Sequence, residues 1–276
     1  MSNVLITGTS SGFGLLGALT FARKGVTVFA SLRNLEKAGP LKEARDAEKL
    51  PIHIIELDVT SPESVARAMR EVEAAGPLDA LINNAGAELA SPIEEASDDE
   101  IRWQFDTNVL GAVRMIRAVL PGMRARRAGT IVNVSSIAGL LAAPFAGYYA
   151  ASKHALEAIS EALHFEVTPY NIRVAVVEPG RYETGFHGNI RPAAKFTADS
   201  PYQAEFQKYV AAFARISPPG AQDPQEVADA LYHAVFTDES KLRYVVGRDA
   251  QGLATLRKQL DFEGYEREAR KLLDWH

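Results

Sequence analysis

Val4-Leu5-Ile6-Thr7-Gly8-Thr9-Ser10-Ser11-Gly12-Phe13-Gly14 is the stretch that decides the fold of this chain. Residues 4–7 are apolar or β-branched on both faces, as a strand buried between two layers must be. The glycines after it let the backbone turn sharply and carry its N–H groups close to a bound group. A helical pattern then runs over 13–24 and stops before Gly25. Its N-terminus carries partial positive charge and faces the turn. Gly8, Ser10, Ser11, Gly12, Phe13 and Gly14 therefore form a candidate cradle for an anion such as a pyrophosphate. The spacing is Gly-x3-Gly-x-Gly, not the Gly-x-Gly-x-x-Gly of the better-known dinucleotide fingerprint. A glycine-rich strand–helix turn can be merely structural; its place in the first strand–helix unit favours the binding role.

Working outward, the same alternation repeats. Strands are predicted over 26–30, 52–57, 80–83, 130–134, 173–177 and 242–246, and helices over 35–49, 62–75, 100–127, 149–168 and 224–236. Thr60-Ser61-Pro62-Glu63 places a hydroxyl cap before a first-turn proline, and Asp223-Pro224 repeats the device. Strand–helix alternation at roughly 25–30-residue spacing is the βαβ pattern, whose crossovers are right-handed. No repeat, low-complexity tract or linker interrupts it, so residues 1–276 read as a single α/β domain of Rossmann-type, doubly wound form. One stretch, 180–221, breaks the rhythm, with no strand signal after Glu178-Pro179-Gly180. Long excursions of this kind are usually lids or binding loops. Within it Tyr202, Phe206, Tyr209 and Phe213 make an aromatic stripe at helical spacing. Packing on the domain and contact with a substrate are equally good readings of that stripe. The tail, 247–276, with Leu256, Leu260 and Leu272 among many charges, reads as helical.

Composition narrows the function. The chain is 47% hydrophobic and 24% charged, ordinary proportions for a globular core. A net charge of −5 repels a polyphosphate backbone, so nucleic acid is not an expected partner. Arg124, Arg126 and Arg127, the densest basic cluster, read as a solvated helix end. The absence of cysteine removes disulfides, thiolate zinc sites, Fe–S clusters and a cysteine nucleophile. The histidines (His53, His154, His164, His187, His233 and His276) are dispersed without metal-ligand spacing, so no metal is expected. No apolar run approaches the ~18 residues that span a bilayer, and no leader pattern opens the chain. A soluble, cytoplasmic protein without a membrane partner is the expectation.

Two further stretches carry chemistry. The end of the second predicted strand reads Phe29-Ala30-Ser31-Leu32-Arg33-Asn34. An acidic residue there would bind the ribose 2′-hydroxyl of NAD, whereas a basic one accommodates the 2′-phosphate of NADP. No carboxylate is present and Arg33 is well placed as a clamp, so NADP(H) is favoured over NAD(H), the bland reading being an ordinary surface arginine. Tyr149-Ala150-Ala151-Ser152-Lys153 opens a helical segment and puts a phenol and an ammonium on one face. A free tyrosine ionises near pH ~10, too high for base catalysis at neutral pH. A cation at ~4 Å, in a site of effective dielectric ~20, contributes ~4 kcal/mol, enough to bring the phenol into the useful range. Alone, a Tyr-x3-Lys pair is a weak signal.

It is not alone. The loop at 7–14, Asn83-Asn84-Ala85-Gly86, Asn108 with Gly111, Ser136, Tyr149 with Lys153, and Pro179-Gly180 occur together in that order. In this combination the chain resembles the short-chain dehydrogenase/reductase superfamily from Val4 to about Val246, nearest in appearance to its hydroxysteroid and retinol dehydrogenase branch. The resemblance implies a seven-stranded parallel sheet of order 3-2-1-4-5-6-7 with helices on both faces. It also implies interconversion of an alcohol and a ketone or aldehyde. In that scheme Tyr149 would be the general acid/base, and Lys153 would lower its pKa and hydrogen-bond the nicotinamide ribose. Ser136 would hydrogen-bond the substrate oxygen, and Asn108 would hold a water in a proton relay. Sequence alone does not separate Ser136 from Ser135, and Asn108 has a second reading as a buried amide that only satisfies backbone groups. Tyr148 is a competing phenol without a lysine four residues on. Asp58, with Val59 beside it, resembles the carboxylate that hydrogen-bonds the adenine amino group. Asn84, Ala85 and Gly86 would pass the adenosine ribose. Pro179, Gly180 and Thr184 would contact the nicotinamide, with Thr184 on its carboxamide, although Pro179-Gly180 is also a plain turn.

The apolar run Ile137-Ala138-Gly139-Leu140-Leu141, Pro144-Phe145 and the aromatic stripe point to a small, hydrophobic substrate. Helices 100–127 and 149–168 carry Val113, Ile116 and Leu120, and Leu156, Ile159 and Leu163, on broad faces. In relatives such helices pair, so a homodimer or homotetramer is expected, unless both faces only cover the sheet. The alternative from another class is a sensor that binds NADP(H) without turnover. Loss of the acid/base would mark it, and here Asn108, Ser136, Tyr149 and Lys153 are all present.

Overall fold

Strand β1 (Asn3–Thr7) pairs in parallel with β2 (Thr27–Leu32) on one side and β4 (Ala80–Asn83) on the other, and this centre organises the rest. The computed structural model describes residues 2–216 and 220–275, apart from the side chain of His187. Residues 217–219 of the expected lid, and His276 and the His187 side chain among the surveyed histidines, lie outside the described residues. Beyond β2 lies β3 (Ile52–Glu56); beyond β4 lie β6 (Gly129–Val134), β7 (Ile172–Pro179) and β9 (Arg243–Val246). The order is β3-β2-β1-β4-β6-β7-β9, parallel throughout. Two short strands, β5 (Glu88–Ala90) and β8 (Ile190–Pro192), pair only with each other. With these set aside, the order is the 3-2-1-4-5-6-7 that the resemblance implied.

Alternation along the strands divides the core into two. Val4 and Ile6 face one cluster with Phe21 of α1 (Gly12–Arg23) and Leu231 of α8 (Gln225–Phe236). Leu5, between them, faces the other, with Val65 of α3 (Pro62–Ala74), Met115 of α5 (Gly111–Arg126) and Leu163 of α6 (Gly147–Val167). A sheet apolar on both faces needs helices on both, and the doubly wound fold supplies them.

Three departures from the predicted elements matter. The helix expected over 100–127 begins at a capping box, in which Ser97 and Glu100 bond reciprocally, as α4 (Asp98–Phe105). It then widens into a π-helical turn over Asp106–Leu110 before continuing as α5. The helix expected over 35–49 starts as a short 3-10 segment and becomes α2 only at Gly39–Glu48. The excursion at 180–221, expected without a strand, contains β8 as well as α7 (Gln203–Ile216). A strand of three residues is too short to show a period, and β8 exists because β5 lies alongside it. The tail is helical as expected, forming α9 (Arg248–Gln259) and α10 (Phe262–Leu273). Among the described residues no helix is long and apolar enough to cross a membrane.

Candidate active site

The sheet order reverses at β1, whose neighbours on either side are β2 and β4, and a crevice opens beyond their carboxyl ends. Thr7 and Asn84 fix its floor. The Thr7 hydroxyl accepts from the N–H groups of Asn84 and Ala85, both at 3.0 Å, while Asn84 Nδ2 donates to the carbonyls of Thr7 and Gly8 at 2.9 and 3.0 Å. The glycines make this clasp possible. Gly8 (φ 73°) would place a Cβ 2.8 Å from Ala85 Cα, and a Cβ on Gly14 would run into the Gly8 carbonyl. Gly14 therefore packs the turn, and it does not line the cavity above.

That cavity, of about 720 Å³, is within the range of small-molecule sites. It starts over Gly8, Ser10, Ser11, Gly12 and Phe13 and passes Asn84, Ala85 and Gly86. It then reaches Ser136, Tyr149, Lys153, Pro179, Gly180 and Thr184. Arg33, Asp58 and Val59 line one end. Arg33 is exposed and, among the described residues, has no ion-pair partner. Asp58 Oδ1 accepts from the N–H and hydroxyl of Thr60 at 2.9 and 2.7 Å, which orients the carboxylate on the wall. Lys37, in the short 3-10 segment four residues after Arg33, lines the same end and is not marked by the sequence pattern. Thr184 lies across the cavity against Gly12, whose added Cβ would meet its Cβ at 3.3 Å.

Tyr149 and Lys153 project from the first turns of α6, as the four-residue spacing predicts. The Lys153 ammonium lies 5.7 Å from the Tyr149 ring centroid and donates to the Val134 carbonyl at 2.8 Å. A Cβ on Gly86 would stand 3.8 Å from that ammonium and 3.4 Å from Asn108 Oδ1, so the three groups converge. Burial pushes Lys153 down to about 8, against the opposing charge of Glu157. Burial also drives Tyr149 above its ordinary value of 10, the charge of Glu88 adds to this, and a hydrogen bond from Ser136 opposes it. In this structure desolvation governs the phenol, and Ser136 is the group that opposes it. Ser136 reaches Tyr149, whereas the Ser135 hydroxyl is buried beside Glu157, which separates the two serines. Tyr148 turns away and donates to the Ile93 carbonyl at 3.0 Å.

Asn108 sits in the π-helical turn, buried and off the cavity wall. Its carboxamide accepts from Ala87 N–H at 2.9 Å and donates to Ala87 C=O at 2.9 Å and Ser152 Oγ at 3.0 Å. The second reading, an amide that satisfies backbone groups, is the one this geometry displays. At the far end the cavity is aromatic. Phe206, Tyr209 and Phe213 of the stripe line it together with Trp103, Phe145 and Phe186, and Phe206 and Tyr202 also pack into a satellite core with Leu89 and Phe196. The stripe packs on the domain, and three of its rings also face the cavity. The tail joins as well, Trp275 lying 6.2 Å from Phe145 and 6.1 Å from Tyr209 between ring centroids. Among the described residues no cluster of histidine and carboxylate groups is able to hold a metal ion.

The comparisons with known proteins agree with this geometry. The family described as short chain dehydrogenase matches residues 2–195. The chain is 37% identical over 281 residues to human retinol dehydrogenase 8, covering 98% of this chain and 89% of that one. It is 35% identical over 267 residues to human 17-beta-hydroxysteroid dehydrogenase type 1, covering 94% and 80%. A solved short-chain dehydrogenase from Streptomyces avermitilis superposes with a TM-score of 0.81 at 34% identity, covering 98% of each chain. Similar solved chains carry different nucleotides. One from Burkholderia phymatum is in complex with NAD (26% identity, TM-score 0.81, 94% and 93% covered). Actinorhodin polyketide ketoreductase is with NADPH (29% identity, TM-score 0.76, 89% and 95% covered).

Proposed function

Since this chain belongs to the short-chain dehydrogenase/reductase family, an oxidoreductase family, we propose that it interconverts an apolar alcohol and its ketone or aldehyde with NADP(H), Tyr149 serving as general acid/base. The observation that carries this reading is the convergence of Tyr149, Ser136 and Lys153 on one wall of the cavity that begins over the glycine loop.

The residues fit a dinucleotide. The N-terminus of α1 opens on the Gly8–Phe13 turn, whose backbone an added Cβ at Gly8 would push against Ala85, so backbone N–H groups take the pyrophosphate. Asp58 and Val59 take the adenine, Asn84 to Gly86 pass the ribose, and Pro179, Gly180 and Thr184 close on the nicotinamide. Arg33 and Lys37 favour a 2′-phosphate, which is the basis for preferring NADP(H) over NAD(H). When bound, the nicotinamide supplies or accepts the hydride.

The chain's own residues handle the proton. Ser136 fixes the substrate oxygen beside the Tyr149 hydroxyl, which gives its proton to the forming alkoxide in reduction and takes one in oxidation. Lys153, held by Val134, presents positive charge where that phenolate develops. Asn108 acts as a positioning residue through Ala87 and Ser152; a relay water at this turn would have to bind main chain, because the carboxamide is occupied. The aromatic end accommodates the apolar body of the substrate, in keeping with relatives named for retinol and hydroxysteroids.

Oxidation of NADPH, followed by absorbance over a panel of apolar ketones and aldehydes, tests the reading. Tyr149→Phe is expected to lower kcat by about 10²- to 10⁴-fold while leaving NADPH affinity within a few-fold. Full turnover by a folded Tyr149→Phe protein would remove the assigned acid/base.

A further inference from the structure

The substrate end of the cavity is walled largely by carbon, and Glu88 on β5 interrupts it. The chain commits four buried hydrogen bonds to fixing the backbone around this residue. Asn108 holds both the N–H and the C=O of Ala87 at 2.9 Å, Gln104 Nε2 donates to the Ala87 C=O at 2.8 Å, and Gln104 Oε1 accepts from Leu89 N–H at 2.6 Å. On its other edge Glu88 is in register with Ile190 of β8. A side chain between two pinned neighbours is directed by the fold.

The Glu88 carboxyl nevertheless has no hydrogen bond or ion pair within the described residues. The other acids on the wall are occupied: Asp249 accepts from Arg181 N–H at 2.8 Å and Gln222 Nε2 at 2.9 Å, and Asp58 from Thr60. Arg191, which also lines this end, lies 4.6 Å over the Trp103 ring. The charge of Glu88 acts on both Tyr149 and Tyr209, so its field reaches the reacting phenol and the helix α7 that carries Tyr209. Loss of water pushes it up to about 7. A carboxyl stripped of water and given no partner is unfavourable, and a cation or an N–H or O–H donor brought into the cavity would satisfy it.

We propose that Glu88 is a specificity-determining residue that accepts a hydrogen bond from a hydroxyl or protonated amine carried by an otherwise apolar substrate close to its reacting carbon. This rests on the oxidoreductase reading and adds a polar handle to the substrate class. A substrate of carbon alone leaves the carboxyl unsatisfied; one with a donor satisfies it, which discriminates the two by roughly 10–100-fold.

Three ketones on one skeleton test this: plain, with a hydroxyl on the carbon beside the carbonyl, and with an amine there. In the unsubstituted enzyme kcat/KM is expected to be roughly 10–100-fold higher for a donor-bearing ketone than for the plain one. Glu88→Leu should bring that ratio near one. Glu88→Gln should retain part of a preference for hydroxyl and lose one for amine, which separates the two donors. The same ratios read as Kd for the ketones on the NADP+ complex, where no hydride moves, and NADP+ affinity reports that each variant is folded. Equal ratios in the unsubstituted enzyme and Glu88→Leu overturn the assignment and leave the oxidoreductase reading standing. A donor preference in Kd that Glu88→Leu abolishes, with none of the three ketones turned over, keeps Glu88 in this role and counts against the reading.

Discussion

Tyr149 is a phenol that its surroundings keep protonated, so the enzyme stands ready to act as an acid toward a bound carbonyl. The group that limits it with pH is its neighbour. Lys153 carries its proton below about 8 and loses it above, so ketone reduction is expected to hold level up to about that pH and decline beyond it, which a pH profile of kcat/KM would show. The same shift bears on stability. Between about 8 and the ordinary 10.5 the unfolded chain binds a proton that the folded one has released, so this group's contribution rises with pH across that window. At the other end of the cavity, Arg33→Ala with Lys37→Ala is expected to raise the KM for NADPH by roughly 10–100-fold while leaving that for NADH nearly unchanged. Much at this scale is legible in the sequence, because the spacing of Tyr149 and Lys153 and the order of the glycines survive as covalent facts. Glu88 and Lys37 were not legible: each matters through the wall it faces, and facing is decided by distant chain. Asn108 was half legible, its identity plain and its bonding to Ala87 not.

Between elements, one contact is built from charge. Glu157 of α6 and Glu178 of β7 are both buried, and Arg243 of β9 bridges them at 3.1 Å to each. Burial and the Glu157 charge push Glu178 up to about 8 from an ordinary 4.5. Across that window the folded chain holds a proton that the unfolded chain gives up, so stability from this group falls as pH rises. Urea unfolding at about pH 5 and about pH 8 is expected to show this fall, and Glu178→Gln to flatten it. Single-cation compensation of two buried acids is dear in free energy, and its use here fastens α6, which carries Tyr149, to the strand that ends in Pro179. No spacing along the chain marks it, since the three residues lie far apart. Most helices were readable to within a residue or two, the start of α2 excepted. The π-helical turn and the strands β5 and β8 were not, for each exists by pairing with a partner elsewhere.

For the whole molecule, the sheet order and the two cores follow from strand composition and right-handed crossovers, and the resemblance fixed what these left open. Of the faces expected to pair subunits, Ile116, Leu156 and Leu163 are buried within the chain, Ile116 and Leu163 in the core against the sheet, whereas Val113, Leu120 and Ile159 are half-buried. What remains outside on these helices includes Phe165, 78% exposed, and Leu110, 48% exposed. Association through that side is expected to give a dimer or tetramer by sedimentation, and Phe165→Glu to shift it toward monomer; a monomer before substitution would leave both faces as covers only. Phe145 has a consequence of another kind. Its backbone sits at φ 64°, where a side chain is strained, and its ring meets Phe196, Phe206, Tyr209 and Trp275, which come from the excursion and the tail. Glycine at 145 would relax the main chain and loosen four rings at once, whereas alanine would loosen the rings and keep the strain. Tolerance of misfit guests and thermal robustness are therefore separately adjustable at a single codon.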